Sequence, residues 1–234
     1  MPPVDRLRHP PLGFAHRGAR AHAPENTIEA FVLALRLGAT GLESYVWLRA
    51  DAVPVLDHDG VVGRVRRRKI RDLPRSALPS HVPSLAELFD EVGSGVPVSL
   101  DVKDPEAFEA VIGVAEEAGA VDQLFLCHHD WELVATWRPR SDGPVLVDST
   151  RLHRLKRGPE RRALDLRNAG IGCINLHESD WTAGLTTLFH RFGVHCLGWD
   201  AQLPRILDQL LARGVDGVYS DHVDRMVDAI AALG

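Results

Sequence analysis

The chain has 234 residues, 45% of them apolar, and a formal net charge of −5, with a pI near 6.2. Such a length can bury one large core and suits a single closed α/β barrel spanning 1–234. The acidic balance gives no general attraction to nucleic acid or an anionic membrane, since both need a basic surface to neutralise phosphates.

Cys127, Cys173 and Cys196 are widely spaced, odd in number and contain no C-x-x-C pair, which argues against a disulfide framework or a zinc site. The start, MPPVDRLRHPPLG, has no apolar leader, and no stretch approaches the ~18 apolar residues of a membrane span. The reading is a soluble, unprocessed, cytoplasmic protein with a small-molecule partner.

In chain order, "LGFA" at 12 to 15 is a short strand running into "HRGAR". Asn26 with Glu29 three residues on reads as an N-cap and capping box. The helix that follows repeats Ile28, Phe31, Val32 and Leu35 on one stripe and stops at Gly38. A second strand covers 41 to 48.

The loop from 60 to 81 contains a basic run, "RVRRRKIRDLPR" at 64 to 75, whose ordinary role is a solvated surface. Next, "VPSLAELFDEVG" places Ser84 and Glu87 in capping-box register, with Leu85, Leu88, Phe89 and Val92 on one face. "VPVSLDVK" at 96 to 103 is a third strand. Five more follow in "QLFLCH", "PVLVD", "GCINLH", "VHCLGW" and "VDGVYS", with helix-length segments at 130 to 138, 160 to 169, 181 to 192, 203 to 212 and 222 to 232. Eight strands alternating with helices predict a parallel sheet, and the length favours a (β/α)8 TIM barrel with a short insertion after the second strand over an open sheet.

Active sites of such barrels lie at the C-terminal ends of the strands. There the chain carries His16 and Arg17, then His58, Asp101 with Lys103, His177, and Trp199. The period of two sets Ser99, Asp101 and Lys103 on the face opposite Val98, Leu100 and Val102, and Glu43 and Tyr45 opposite Leu42, Ser44 and Val46. The polar set therefore points into the barrel. Histidines, cations and carboxylates at one mouth suggest phosphoryl chemistry.

"FAHRGARAHAPENTIEAFVLAL" followed by "GLESYVWLRADAVPVLDHD" resembles the glycerophosphodiester phosphodiesterase family, whose pattern runs H-R-G, P-E-N-T-x-x-A-F, G-x-x-x-E-x-D-V, D-G-x-P-V, H-D. The likeness continues through "VPSLAEL", "LDVK", "GW" and "GVDGVYSD" and is thin between 104 and 190. It implies a hydrolase of lipid and glycerol metabolism that cleaves glycerophosphodiesters to glycerol 3-phosphate and an alcohol. By the same likeness His16 and His58 are the acid/base pair, Arg17 contacts phosphate and Trp199 walls the glycerol, while the strand-end position of Lys103 gives it a phosphate or metal-site role.

The family's divalent ion, Mg²⁺ or Ca²⁺, maps onto Glu43, Tyr45 and Asp101. Tyr45 stands where an aspartate is expected, and Asp101 is shorter than the usual glutamate. A neutral phenol is a poor ligand for hard, oxygen-seeking ions. With His58 facing the site, Asp57 and Asp59 alternate away from it, and Asp51 lies in a hairpin turn, so none of the three offers a substitute.

Three outcomes stay open: a weakened two-carboxylate metal site completed by water, a metal-free site in which Tyr45 donates to Glu43 or the substrate, and a catalytically silent phosphodiester-binding or regulatory protein. For His177, His128 and His129 a hydrogen-bonded core role is the ordinary reading, and for Lys103 the plain alternative is a salt bridge to Asp101 or Glu43. Trp199 either plugs the core or walls the glycerol. Nucleic-acid binding through 64 to 75 and 151 to 162 runs against the acidic total and the lack of interleaved aromatics.

Overall fold

The computed structural model describes residues 6–63 and 66–233; Arg64 and Val65, at the head of the basic run, lie outside them. The elements are β1 (Leu12–Ala15), α1 (Ile28–Arg36), β2 (Gly41–Leu48), β3 (Pro54–Leu56), β4 (Val61–Val62), β5 (Arg68–Lys69), α2 (Leu85–Val92) and β6 (Val98–Val102). They continue with α3 (Phe108–Ala118), β7 (Leu124–His128), α4 (Trp131–Ala135), β8 (Val145–Ser149), α5 (Pro159–Asn168) and β9 (Cys173–His177). Last come α6 (Ala183–Arg191), β10 (His195–Trp199), α7 (Pro204–Ala212), β11 (Gly217–Ser220) and α8 (Val223–Ala231).

Eight of the strands are parallel and run in the order β1, β11, β10, β9, β8, β7, β6, β2, and β2 pairs back onto β1. The sheet is thus a closed (β/α)8 barrel. The insertion after β2 is short: β3 returns antiparallel to β2, and β4 and β5 form a small separate ladder.

Alternation along the strands sorts the core into two layers. Leu42, Val46, Val98, Leu100 and Val102 face outward and pack under the helices in one large cluster. Phe14, Phe125, Val147, Leu197 and Tyr219 fill the barrel interior, where Phe14 stacks on Tyr219 at 4.8 Å between ring centres. At the N-terminal end of the barrel, buried Asp216 accepts from the backbone N–H of Leu7, Arg8 and Cys196 and pairs with His190 at 2.8 Å. This ties the start of the described chain to the barrel floor.

Two local expectations change. The cap of α1 is Thr27, whose hydroxyl accepts from Ala30 N, and not Asn26. Asn26 takes positive φ (54°), and its side chain accepts from the Ser44 hydroxyl at 2.7 Å. The buried face of α1 accordingly centres on Ala30, Phe31 and Ala34, with Ile28 and Leu35 at its margin. The small residues matter, because Gly18 (φ +75°) passes so close that a Cβ there would lie 2.8 Å from the Ala30 backbone carbon.

The segment expected to be helical over 130 to 138 keeps α-geometry only to Ala135 and finishes as a 3-10 turn over Arg138–Arg140. Pro139 lacks an N–H and crowds the residue before it, which stops the α-helix. The capping box at Ser84 and Glu87 forms as expected.

Candidate active site

The barrel mouth holds a polar cavity of about 670 Å³ lined by His16, Arg17, Glu43, Tyr45, His58, Asp101, Lys103 and Trp199 among others. His177, also at a strand end, is not among the lining residues. The convergence follows from register: β2 and β6 pair Glu43 with Ser99 and Tyr45 with Asp101, so the inward residues of the two strands sit side by side. Lys103 comes one residue beyond β6, and its N–H is held by Val46 O.

His16 follows β1, with its backbone N–H donated to Ser220 O of β11 at 3.0 Å. Its Nδ1 lies 2.6 Å from Asp221 Oδ1, and its Nε2 lies 3.1 Å from the Tyr45 hydroxyl and 3.8 Å from Glu43 Oε2. A carboxylate on Nδ1 fixes that nitrogen as the N–H donor, leaving Nε2 of the neutral ring as an acceptor toward the cavity. Burial disfavours the charged ring, but Glu43 and Asp221 outweigh burial and lift His16 above the ordinary histidine range. Asp221 shifts the opposite way: burial pushes its carboxyl up, and the hydrogen bond and charge of His16 more than reverse that.

Arg17 adopts positive φ (55°), and its backbone N–H donates to Glu43 Oε2 at 2.9 Å. Its guanidinium donates to both Glu25 oxygens at 3.0 Å and lies 5.2 Å from the centre of the Tyr45 ring. On the other side Lys103 Nζ lies 5.0 Å from that ring centre and donates to Asp101 Oδ2 at 2.6 Å. The plain salt-bridge alternative for Lys103 is therefore present, with Asp101 as the partner, inside the cavity.

Tyr45 occupies the middle of this set. His58 stands edge-on to its ring at 4.6 Å and His16 at 6.2 Å. Its hydroxyl faces His16, where the sequence pointed to Glu43 or the substrate. Burial, followed by the nearby Glu43 charge, raises the phenol well above its usual range, so it stays neutral. Burial likewise pushes the Glu43 carboxyl up, opposed by His16 and by the Arg17 N–H.

His58 is more open, and its Nδ1 lies 2.8 Å from Asp59 Oδ1. Asp57 turns away and accepts from the N–H groups of Asp59 and Gly60. Arg49 pairs with Asp51 in the hairpin turn, far from any ligand role.

Trp199 lines the cavity with the Arg151 guanidinium 5.7 Å from its ring centre and His177 edge-on at 4.5 Å. Buried His128 accepts from Asp130 N, the core role expected of it, whereas His177 is half-buried, with Nδ1 accepting from Ser179 N and Nε2 3.3 Å from Asp200. His129 is exposed beside His128 rather than in the core.

Asp221, Glu25 and Gln202 were not singled out from the sequence. Asp221 ends the matched "GVYSD", and Glu25 sits in "PEN", so both carried a signal. Gln202, whose side-chain oxygen accepts from Asp221 N at 2.9 Å, lies in a loop with no periodicity to reveal it.

The fold and this mouth define a TIM barrel with a two-histidine, two-cation polar centre. A profile of the Glycerophosphoryl diester phosphodiesterase family matches residues 16–118. Over 261 aligned residues the chain is 26% identical to Probable glycerophosphodiester phosphodiesterase 2 of Mycobacterium tuberculosis, covering 100% of this chain and 96% of that protein. Among solved structures, the glycerophosphodiester phosphodiesterase of Thermotoga maritima superposes with a TM-score of 0.81 at 24% identity, covering 94% of this chain and 99% of that one. A phosphodiesterase of Oleispira antarctica in complex with the product sn-glycerol-3-phosphate gives 0.83 at 20% identity, covering 94% and 97%. These comparisons liken the chain to the glycerophosphodiester phosphodiesterases, which are phosphoric diester hydrolases.

Because Asp221 supports the charged form of His16, Asp221→Asn lowers the pH at which His16 titrates. Carbon-detected histidine NMR across pH 4 to 9 reads this directly. An unchanged or higher midpoint would contradict the assignment of Asp221 as the partner.

Proposed function

We propose that the chain hydrolyses glycerophosphodiesters to glycerol 3-phosphate and an alcohol, with His16 and His58 as the acid/base pair. The observation that carries this reading is that both imidazoles border one cavity together with two cations, Arg17 and Lys103. A phosphodiester there would place its anionic oxygens against the cations and its bridging oxygens near the rings.

In the first step a glycerol hydroxyl gives its proton to one imidazole and attacks phosphorus. The bond to the head-group alcohol breaks, and the other imidazole supplies that alcohol's proton. A cyclic glycerol phosphate results. Water then opens the ring with the roles of the imidazoles exchanged, which restores both. Such transfers suit side chains that titrate near ambient pH. Arg17, braced by Glu25, and Lys103 stabilise the charge that develops on the phosphoryl oxygens.

A resident divalent ion would polarise a phosphoryl oxygen and acidify a bound hydroxyl. The residues at the implied position do not fit one as they stand. Glu43 Oε2 already accepts the Arg17 N–H, Asp101 Oδ2 is held by Lys103, and the third position carries a neutral phenol turned toward His16. Hard ions need several oxygen ligands, so Glu43 and Asp101 alone give a weak site at best, and every proton above is moved by side chains of this chain.

The three cysteines are unpaired and buried, which supports a reducing, cytoplasmic setting. Among the described residues no helix is long and apolar enough to cross a membrane. The second reading, phosphodiester binding without turnover, is favoured by one feature, the bulk of Tyr45 at the centre of the site.

Release of glycerol 3-phosphate from sn-glycero-3-phosphoethanolamine or sn-glycero-3-phosphocholine, measured enzymatically at high protein concentration, decides between the two readings. The proposal expects turnover and a loss of roughly 10²- to 10⁴-fold in His16→Ala and in His58→Ala. No product from several head groups, with or without added metal, would sink it. A second measurement bears on Tyr45 independently of activity: Mn²⁺ titrated by EPR should bind Tyr45→Asp at least 10-fold more tightly than the natural chain. Equal affinity would show that position 45 does not limit metal binding.

A further inference from the structure

Resting on the reading above, we infer that the preferred substrates are glycerophosphodiesters whose head-group alcohol carries a further anionic group, such as a phosphate monoester. The catalytic residues of β1, β2, β6 and the turn at His58 occupy one side of the mouth. The other side is formed by the ends of β8 and β10, and there the cavity is lined by Arg151, Arg154 and Trp199.

At Thr150 and Arg154 the cavity meets a second one of about 590 Å³, whose lining includes Lys156, Arg157, Arg161 and Arg162. Five cations line this second cavity, counting Arg154, against the three carboxylates of Asp130, Glu132 and Asp165. Asp165 is already engaged by Arg157 and Arg161, and Arg162 is held by buried Asp148. Arg154 and Lys156 are exposed and in no ion pair among the described residues.

The substrate's polarity sets which end reaches this groove. Glycerol must stay inside, since its own hydroxyl attacks phosphorus. The end that leaves the cavity past Thr150 and Arg154 is therefore the head group. Two unpaired cations on that path attract a second anion, and partial exposure makes the attraction dependent on ionic strength.

The same geometry disfavours a quaternary ammonium head group. Such a cation is recognised through an open aromatic face. Trp199, the tryptophan of this cavity, has the Arg151 guanidinium over its ring and the His177 edge against it, while Arg151 is itself locked by Asp180 at 2.7 Å. A choline group would have to displace or lie beside a fixed cation.

The test compares kcat/KM for sn-glycero-3-phosphoinositol 4-phosphate and sn-glycero-3-phosphocholine at low and high salt. The inference expects the anionic ester to be preferred at least 10-fold at low salt, with the preference shrinking as salt rises and falling at least 5-fold in the Arg154→Ala/Lys156→Ala double variant. Equal use of the two esters, or a preference the double variant leaves intact, would overturn it. If neither ester is hydrolysed the proposed activity itself fails, and calorimetry with inositol 4-phosphate still judges the groove. Binding that the double variant weakens supports the inference, and absence of binding to the natural chain refutes it.

Discussion

Closure of the barrel is the constraint from which the site follows. Because β1 lies between β11 and β2, the residue that leaves β1 must meet the ends of both neighbours. His16 is that residue, and it is gripped by Asp221, which follows β11, and faces Tyr45 and Glu43 from β2. An open sheet with the same strands would leave β1 or β2 at an edge and separate these groups. The hydrogen bond to Asp221 therefore depends on the global topology, and the orientation of the His16 ring depends on that bond.

The electrostatics of the mouth follow from the same packing. Four carboxylates, Glu43, Asp101, Asp221 and Glu25, are each matched by a cation, an imidazole or a backbone N–H. Burial alone would drive the acids toward their neutral forms and His16 toward its neutral ring. The partners reverse this for Asp221 and His16 but not for Glu43. Tyr45, placed among them, adds bulk and a hydroxyl where a charge would otherwise be expected, with Arg17 and Lys103 on either side of its ring.

Much of this was legible in the sequence, because it rests on periodicity and register. Alternation in "LESYV" and "VSLDVK" was enough to send Glu43, Tyr45, Asp101 and Lys103 into the barrel, and the capping box at Ser84 needed only local spacing. Local spacing alone puts the α1 cap one residue early, because both Asn26 and Thr27 are good capping types. Their choice is made by a distant contact, the Ser44 hydroxyl reaching Asn26. The direction of the Tyr45 hydroxyl was likewise hidden, since it depends on how β1 meets β2. Gln202 sits in a loop whose position is set by the barrel as a whole, and no pattern in the chain itself marks it; Arg154 belongs to the basic stretch 151 to 162, but its place at the cavity is set by the fold.

In the proposed reaction the His16 and His58 imidazoles share one phosphoryl group. A crystal structure of the protein soaked with sn-glycerol 3-phosphate tests it most directly. Phosphate oxygens are expected within hydrogen-bonding distance of both imidazoles and in contact with Arg17 or Lys103. A phosphate bound elsewhere, or one touching neither ring, would contradict it.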